Sequence, residues 1–259
     1  MLSQQTNTLT KYADLFVDQR PLLGVDGLGK VKTLKAVVAG AGGGGNPVTI
    51  FAARSGIETV CLIDPQTAEV TNRNRIFAAS RHEGLKKVHI VRELLESFDR
   101  LGEDPDFKYV PLACRVEDPA ALPYLQAADV IVACQGSVES RLWLLQFART
   151  YQKLLLNVGF GCEPGRFMGG EISIYRPDRP GQACPACISL HSGLQPTSTF
   201  FFPPLCVLAA LTVQLIVAEA VGFDLYGDER PNYVVFDAFR YSLGAYLVPA
   251  DPNCQVCRK

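Results

Sequence analysis

A strand, a glycine-rich loop and a helix follow one another near the amino terminus, and this order constrains the fold more than any other stretch. The apolar run Ala36 to Ala39 is typical of a buried parallel strand and leads directly into Gly40-x-Gly42-Gly43-x-Gly45. We expect Asn46 to cap a helix whose first residue is Pro47, and Gly56 to end that helix in a left-handed conformation. The stretch therefore predicts the first half of a βαβ unit.

A second apolar run, Thr59 to Ile63, completes this unit and ends at Asp64. A carboxylate at the end of the second strand can accept hydrogen bonds from a ribose. The glycines let phosphates approach the backbone amides at a helix start, where the helix dipole favours negative charge. The alternative, that the glycines form only a flexible turn, explains neither the strand nor the acid. The pattern predicts nucleotide binding by Gly40 to Gly45, with Asp64 on the sugar.

Polar and basic residues follow the second strand, where a nucleotide triphosphate would extend. Asn72, Arg73 and Arg75 lie in a predicted loop, and the next helix begins with lysines, the last of them Lys87. Cations in the first turn of a helix oppose its dipole, which favours acids there. This mismatch indicates an anionic ligand, although solvated surface charges are the ordinary alternative for each of these side chains.

Strands and helices alternate along the rest of the chain as far as residue 158. This alternation predicts an α/β fold with a Rossmann-like, mainly parallel sheet and helices on both faces. Further strands are predicted at 109–112, 129–134, 154–158, 171–175, 233–237 and 245–248, and further helices at 87–100, 138–151 and 205–221.

The first 34 residues are predicted to form an amino-terminal arm, and residues 35–259 one nucleotide-binding domain. Within the arm we expect a short helix at 12–16 and a loop at 25–30. Arg20 stands between them, before a proline. A solvated surface charge is the simplest interpretation of Arg20 taken alone.

Composition limits the classes of function. The chain has 259 residues, of which 48% are apolar, and a net charge of −1, so it lacks the basic footprint of a nucleic-acid-binding protein. Met1 to Thr10 has no apolar signal-peptide core. The longest apolar run, Leu205 to Ala218, is too short for a membrane span. With nine cysteines and no export signal, we expect a cytoplasmic protein in a reducing compartment, away from membranes.

Four of the cysteines form two Cys-x-x-Cys pairs, Cys184 with Cys187 and Cys254 with Cys257. Two such turns can supply the four thiolates of a tetrahedral structural zinc site, which would pin the carboxyl-terminal part to the sheet. The alternatives are a redox pair or two unconnected turns. Neither pair begins a helix after a first βαβ strand, as the redox motif requires.

Together these elements resemble the ThiF/MoeB/HesA superfamily, relatives of ubiquitin-activating enzymes. The matching elements, in the family's order, are the glycine loop, Leu62-Ile-Asp64, Thr71-Asn72-x-x-Arg75, Gly84-x-x-Lys87, Asp129-Val-Ile-Val, Arg141, Cys184-x-x-Cys187 and Asp251-Pro-x-Cys254-x-x-Cys257. The resemblance implies ATP as substrate and adenylation of a carboxylate, usually the carboxyl-terminal glycine of a ubiquitin-like sulfur carrier.

The resemblance also implies residue roles. Gly40, Gly42, Gly43 and Gly45 would approach the phosphates, and Asp64 would hold the ribose. Asn72, Arg75 and Lys87 would contact phosphate oxygens, and Arg20 would reach the triphosphate of the partner subunit in a homodimer. The apolar helix at 205–221 would lie near that interface.

The sequence departs from the family where a Thr-Asp-Asn segment normally supplies a magnesium-binding aspartate. Here Gln135-Gly136-Ser137 stands instead, which leaves Glu139 or the phosphate oxygens to hold Mg²⁺. The segment from Ser192 to Phe202 contains no cysteine for a thioester or persulfide step. Three interpretations follow: an active adenylyltransferase, a non-catalytic homologue that acts as scaffold or partner subunit, and an NAD-dependent dehydrogenase. The basic set Arg75, Lys87 and Arg141 favours the first interpretation, because an inactive pocket has no need of these cations, and loss of the aspartate favours the second. The cysteine pairs and the Asn-x-x-Arg segment argue against the last.

Overall fold

The fold is built on one mixed eight-stranded sheet. The computed structural model describes residues 12–97, 106–191, 200–223 and 229–257. The strand order is β3-β2-β1-β4-β5-β6-β7-β8, in which β1 to β5 run parallel and the last three strands are antiparallel. The strands are β1 Lys35–Ala39, β2 Thr59–Ile63, β3 Lys108–Leu112, β4 Val130–Ala133, β5 Leu154–Glu163, β6 Phe167–Tyr175, β7 Tyr233–Asp237 and β8 Ser242–Tyr246.

The predicted parallel sheet with helices on both faces is confirmed for β1 to β5, whereas β6 to β8 are antiparallel and make the sheet mixed. The main helices are α1 Arg20–Thr33, α2 Gly45–Arg54, α3 Lys87–Ser97, α4 Leu122–Ala127, α5 Val138–Thr150, α6 Pro185–His191 and α7 Phe202–Val221. Helices α2, α3 and α7 pack in one apolar cluster with one face of the strands. Helices α4, α5 and α6 pack in a second cluster with the other face. Successive side chains of a strand point to opposite faces of the sheet, so in β1 Val38 belongs to the first cluster and Val37 to the second.

Several predicted boundaries change. The β5–β6 hairpin is longer than predicted, and the final strand is Ser242–Tyr246 rather than residues 245–248. Strand β8 forms the edge of the sheet, and its residues are half-exposed or exposed. Because the strand is not buried, its sequence does not need the hydrophobic pattern from which a strand is predicted. Helix α3 is described to Ser97, and the last residues of its predicted span lie outside the described residues.

The amino-terminal arm is helical where it is described. The predicted short helix at 12–16 is present over residues 12–15, and Tyr12 donates a 2.8 Å hydrogen bond to the carbonyl of Gly56. The predicted loop at 25–30 is wrong, because those residues belong to α1. Gly24 breaks that helix with φ of +70°, and the turns beyond it bury Leu28 and Val31. Tertiary packing here outweighs the low helix propensity of the glycines.

Helix α7 has the length and composition of a membrane span, with a mean hydropathy of 2.0. The same helix packs on the sheet, where Leu208 and Val213 are buried in the first apolar cluster. A core helix passes the same test of length and composition, so this feature alone is weak evidence for a membrane.

Candidate functional site

The glycine loop joins β1 to α2 at the carboxyl end of the parallel strands. Gly40 has φ of +96°, and a Cβ there would lie 2.8 Å from the backbone nitrogen of Gln135. A Cβ on Gly45 would lie 1.7 Å from the carbonyl oxygen of Gly40. A Cβ on Gly42 would meet nothing within 4 Å. The first and last glycines are therefore required by the backbone, and Gly42 borders open space that a phosphate could enter.

Gly43 faces protein rather than open space. A Cβ there would lie 2.8 Å from Cδ1 of Leu205 and 3.1 Å from the carbonyl oxygen of Arg75. The start of α7 and the loop after β2 thus close on the glycine loop from one side.

Asp64 is buried beside this loop. One carboxylate oxygen accepts the backbone N–H of Ala41 at 2.7 Å, and the other accepts that of Gln66, also at 2.7 Å. Asp64 therefore fixes the position of the loop. A carboxylate has about four acceptor positions, so a ribose hydroxyl can still donate to it.

Asn46 does not cap α2 as predicted. The helix begins at Gly45, and Gly44 occupies the cap position without a side-chain hydrogen bond. The side chain of Asn46 is fully buried, and its oxygen accepts the backbone N–H of Phe77 at 2.9 Å. The bond ties α2 to the loop after β2, a long-range contact that local sequence pattern does not reveal.

Lys87 is a buried cation at the start of α3. Its exposed fraction is 7%, and its amine donates to Oε1 of Gln66 at 2.7 Å. Burial lowers the pKa of Lys87, the neighbouring Asp64 raises it, and Arg75 lowers it further. An ammonium has three hydrogens, so two remain for a ligand. An anion bound between Lys87 and Arg75 would offset the cost of burying the Lys87 charge. It would also reduce the repulsion between the two cations.

Asn72 and Arg75 lie in the loop after β2. The side chain of Asn72 is buried, and its oxygen accepts the backbone N–H of Glu69 at 3.2 Å. The guanidinium of Arg75 donates to the carbonyl of Thr71 at 2.5 Å and lies 4.8 Å from the ring centre of Phe200. Asn72 therefore shapes the loop, and Arg75 is held in place by a hydrogen bond and a cation–π contact.

The two remaining arginines differ. Arg20 is exposed at the first position of α1. Arg141 is half-buried, and its guanidinium donates to the carbonyls of Gln135 at 2.6 Å and Val158 at 2.9 Å. It also donates to the side chain of Asn157 at 2.5 Å, and burial lowers its pKa. Arg141 thus joins the end of β4 to the middle of β5, whereas the sequence suggested a cation of the pocket.

The end of β4 faces the glycine loop across the β1–β4 pair. Ser137 caps α5 by accepting the backbone N–H of Ser140 at 3.2 Å. Gly136 is exposed, and Glu139 lies exposed in the first turn of α5. The amide of Gln135 has both polar atoms buried and makes no hydrogen bond among the described residues. The segment from Cys134 to Ser137 contains no carboxylate and does not fit a carboxylate-held magnesium ion.

The four predicted cysteines come together. Their sulfur atoms all lie within 4.8 Å of one another. The distance is 3.7 Å between Cys184 and Cys187, 3.9 Å between Cys184 and Cys254, and 3.4 Å between Cys187 and Cys257. Ligands about 2.3 Å from one tetrahedral metal lie about 3.8 Å apart. The cluster therefore fits one metal ion with no open coordination position.

Hydrogen bonds hold this cluster against the sheet. The amide of Asn232 is fully buried, donates to the carbonyls of Ala183 and Val248 at 3.0 Å, and accepts the backbone N–H of Val248 at 2.7 Å. Burial opposes ionisation of the Cys254 thiol, but backbone N–H groups of Cys257 and Val256 lower its pKa to about 7. The thiol of Cys254 can therefore ionise near neutral pH, whereas burial raises the pKa of Cys184 and of Cys187. A bound cation would favour the thiolate form of these buried cysteines.

Comparisons with known proteins agree with this architecture. The family model described as the ThiF family matches residues 17–256. Among curated proteins, the chain is 26% identical over 173 residues to the "Adenylyltransferase and sulfurtransferase uba4" of Aspergillus fumigatus, covering 65% of this chain and 34% of that protein. The chain thus spans about a third of the length of such relatives.

A relative of similar length is the "Sulfur carrier protein adenylyltransferase" of Thermus thermophilus, which is 25% identical over 248 residues, 92% of this chain and 87% of that protein. Among solved structures, E. coli MccB with ATP superposes with a TM-score of 0.72 at 20% identity, covering 95% of this chain and 74% of that chain. The PaaA structure gives a TM-score of 0.69 at 17% identity, covering 93% of this chain and 73% of that chain. At these identities the structural likeness shows the fold.

Proposed function

This chain belongs to the ThiF family, and on that premise we propose that it is an ATP-dependent adenylyltransferase that activates a carboxylate. The observation that supports this most directly is the convergence of the site at one crevice. The glycine loop, the carboxylate of Asp64 and the two cations Arg75 and Lys87 all lie at the carboxyl ends of adjacent parallel strands. This is where open α/β sheets bind nucleotides.

In the proposed reaction, a carboxylate oxygen attacks the α-phosphorus of ATP. A carbon–oxygen–phosphorus linkage forms, the bond from the α-phosphorus to the bridging oxygen breaks, and pyrophosphate leaves with its electrons. Asp64 holds the ribose, and Gly40 to Gly45 present amides to the phosphates. Arg75 and Lys87, joined by Arg20 of a partner subunit, stabilise negative charge on the transferring phosphoryl group and on pyrophosphate.

The proposed carboxylate is the terminal glycine of a ubiquitin-like sulfur carrier protein. The similarity to the Thermus thermophilus sulfur carrier protein adenylyltransferase supports this class of substrate. We propose zinc as the ion at Cys184, Cys187, Cys254 and Cys257, because four thiolates around a tetrahedral ion are typical of structural zinc. It would stabilise the carboxyl-terminal segment.

We further propose that the protein is a cytoplasmic homodimer with α7 near its interface. Each subunit would consist of an amino-terminal arm and one nucleotide-binding domain. Val207 of α7 is 41% exposed, although the helix is apolar almost throughout. A partner subunit would cover such a side chain. Magnesium would be held by the phosphates of ATP, because the end of β4 supplies no carboxylate for it.

The proposal is tested by exchange of labelled pyrophosphate into ATP in the presence of a ubiquitin-like sulfur carrier protein. Exchange should require the carrier and should disappear when its terminal glycine is removed. The competing proposal, a non-catalytic scaffold or partner subunit, has the exposed Gly136 in its favour. ATP binding without exchange for every sulfur carrier encoded in the same genome would favour that alternative.

A further inference from the structure

Unsatisfied polar groups gather beside the glycine loop. Among the described residues, the buried side-chain atoms without a hydrogen-bond partner include Nδ2 of Asn46 and both Nε2 and Oε1 of Gln135. Buried polar groups in native proteins nearly always have partners, and an exception calls for a specific explanation. Gln135 is the stronger case, because neither its donor nor its acceptor is satisfied.

The position of Gln135 relates it to the nucleotide crevice. Its backbone nitrogen would lie 2.8 Å from a Cβ on Gly40, so the two segments touch where β1 and β4 end. Ligands of open α/β sheets bind at such a place, where the order of the strands reverses. Asp64, proposed to hold the ribose, lies on the other side of β1, at the end of β2. Gln135 therefore borders the glycine loop, which is proposed to bind the phosphates, from the side opposite Asp64.

The backbone of Gln135 is anchored by a hydrogen bond, whereas its side-chain amide has no hydrogen-bond partner among the described residues. Arg141 holds the carbonyl of Gln135 at 2.6 Å and the carbonyl of Val158 at 2.9 Å, which anchors the end of β4 to β5. Because the side-chain amide makes no hydrogen bond where it lies, turning it towards a bound nucleotide would break none. The structure thus combines a rigid anchor with a side chain that gains hydrogen bonds by moving.

Charge decides which group the amide would meet. A carboxylate at this place would repel a phosphate unless a cation stood between them. Residues Cys134 to Ser137 contain no carboxylate, and Gln135 supplies a neutral N–H donor instead. A phosphate oxygen can accept this donor directly.

We propose that Gln135 is a nucleotide-binding residue whose Nε2 donates a hydrogen bond to a phosphate oxygen of ATP. This rests on the proposed function, since it assumes that ATP occupies the crevice. The unsatisfied amide would destabilise the folded protein in the absence of ATP. The hydrogen bond that it forms with ATP would strengthen nucleotide binding. Stability and binding should then respond in opposite directions to removal of the amide.

The test compares Gln135→Met with Gln182→Met by calorimetric titration with ATP and by thermal unfolding. Methionine has a similar shape without polar atoms. Gln135→Met should weaken ATP binding roughly ten-fold, the effect of one lost contact to a charged group, without lowering Tm. Gln182 is the matched control, because its amide donates to the carbonyl of Arg230 at 3.2 Å and accepts from Arg176 at 3.3 Å. Gln182→Met should lower Tm and leave ATP affinity unchanged.

A second variant tests contact with a phosphate. Gln135→Glu should bind ATP more weakly than Gln135→Met when magnesium is removed by a chelator, and added magnesium should restore much of the difference, because it can bridge two anions. This result would show that the side chain at position 135 lies next to a phosphate of ATP. Equal ATP binding by Gln135→Glu and Gln135→Met with and without magnesium would contradict this contact.

The outcomes separate this inference from the proposed function. If the unaltered protein does not bind ATP, the proposed function fails. If it binds ATP and Gln135→Met binds equally well, only the role of Gln135 is overturned. A fall in both Tm and ATP affinity for Gln135→Met would make Gln135 a structural residue and overturn the inference too.

Discussion

The carboxylate of Asp64 accepts the backbone N–H of Ala41 at 2.7 Å, so the end of β2 directly holds the glycine loop after β1. The same carboxylate is proposed to bind the ribose of ATP. Loop geometry and sugar recognition therefore depend on one side chain, and its removal should affect more than one property.

Asp64→Ala should weaken the binding of both ATP and adenosine, since both lose the contact with the sugar. The effect on ATP should be the larger, because Asp64 also holds the glycine loop that is proposed to bind the phosphates. The substitution should also destabilise the fold by roughly 1.5–3 kcal/mol, the usual contribution of a hydrogen bond to a charged group. Calorimetric titration and denaturant unfolding measure the two effects. Loss of ATP binding with adenosine affinity unchanged would contradict the ribose assignment.

Arg75→Ala should weaken ATP binding by roughly ten- to a hundred-fold, because one charge-assisted contact contributes about 1.5–3 kcal/mol. The matched control is Arg73→Ala, two residues earlier in the same loop, where the arginine is exposed. Equal effects of the two substitutions would indicate a diffuse electrostatic contribution instead of a specific contact by Arg75.

Lys87 should make ATP affinity depend on pH. Burial lowers the pKa of Lys87 below its ordinary 10.5. Because a bound phosphate favours the charged amine, ATP affinity should fall as the pH rises through this lowered pKa. Fold stability should change in the opposite sense: the unfolded chain holds more protons than the folded one, so the contribution of Lys87 to stability rises between the lowered pKa and 10.5.

The matched variant is Lys87→Arg, which keeps its charge throughout this range. It should bind ATP with an affinity that does not change over the pH interval in which the unaltered protein loses affinity. An identical alkaline decline in both proteins would show that another group titrates.

Cys184→Ser should abolish stoichiometric zinc, measured by elemental analysis, and should lower Tm. Nucleotide affinity should change less, because the cluster belongs to the apolar core on the opposite face from α2 and α7. Cys162→Ser, a cysteine outside the cluster, should retain zinc. Purified protein without zinc would refute the metal assignment.

Arg20 is proposed to act in the partner's site, and mixed dimers test this. Arg20→Ala and Lys87→Ala should each be inactive in pyrophosphate exchange. Mixing them should restore about a quarter of the unaltered activity, since half of randomly mixed dimers would hold one intact site of two. No recovery, despite subunit exchange shown by sedimentation of tagged protein, would exclude a role in the partner's site.

The sequence by itself determined the parallel half of the fold. Local patterns were sufficient there: apolar runs such as Thr59–Ile63 are buried on both faces, and Gly40 and Gly56 need positive φ values that glycine adopts readily. The pairing of sulfur atoms within each Cys-x-x-Cys turn was also predictable, because the spacing sets where the two side chains can point. The meeting of the two turns depends on the fold, because Cys184 and Cys254 are distant in sequence.

Only the tertiary structure decided what several polar side chains do. Asn46 looked like a helix cap and instead bonds to Phe77, and Arg141 looked like a cation of the pocket and instead joins β4 to β5. Phe77 is distant from Asn46 in sequence, and Val158 lies on a strand that pairs with β4 only in the folded sheet. Hydrogen-bond partners of buried polar groups depend on which segments meet in space, and local sequence pattern does not specify that meeting.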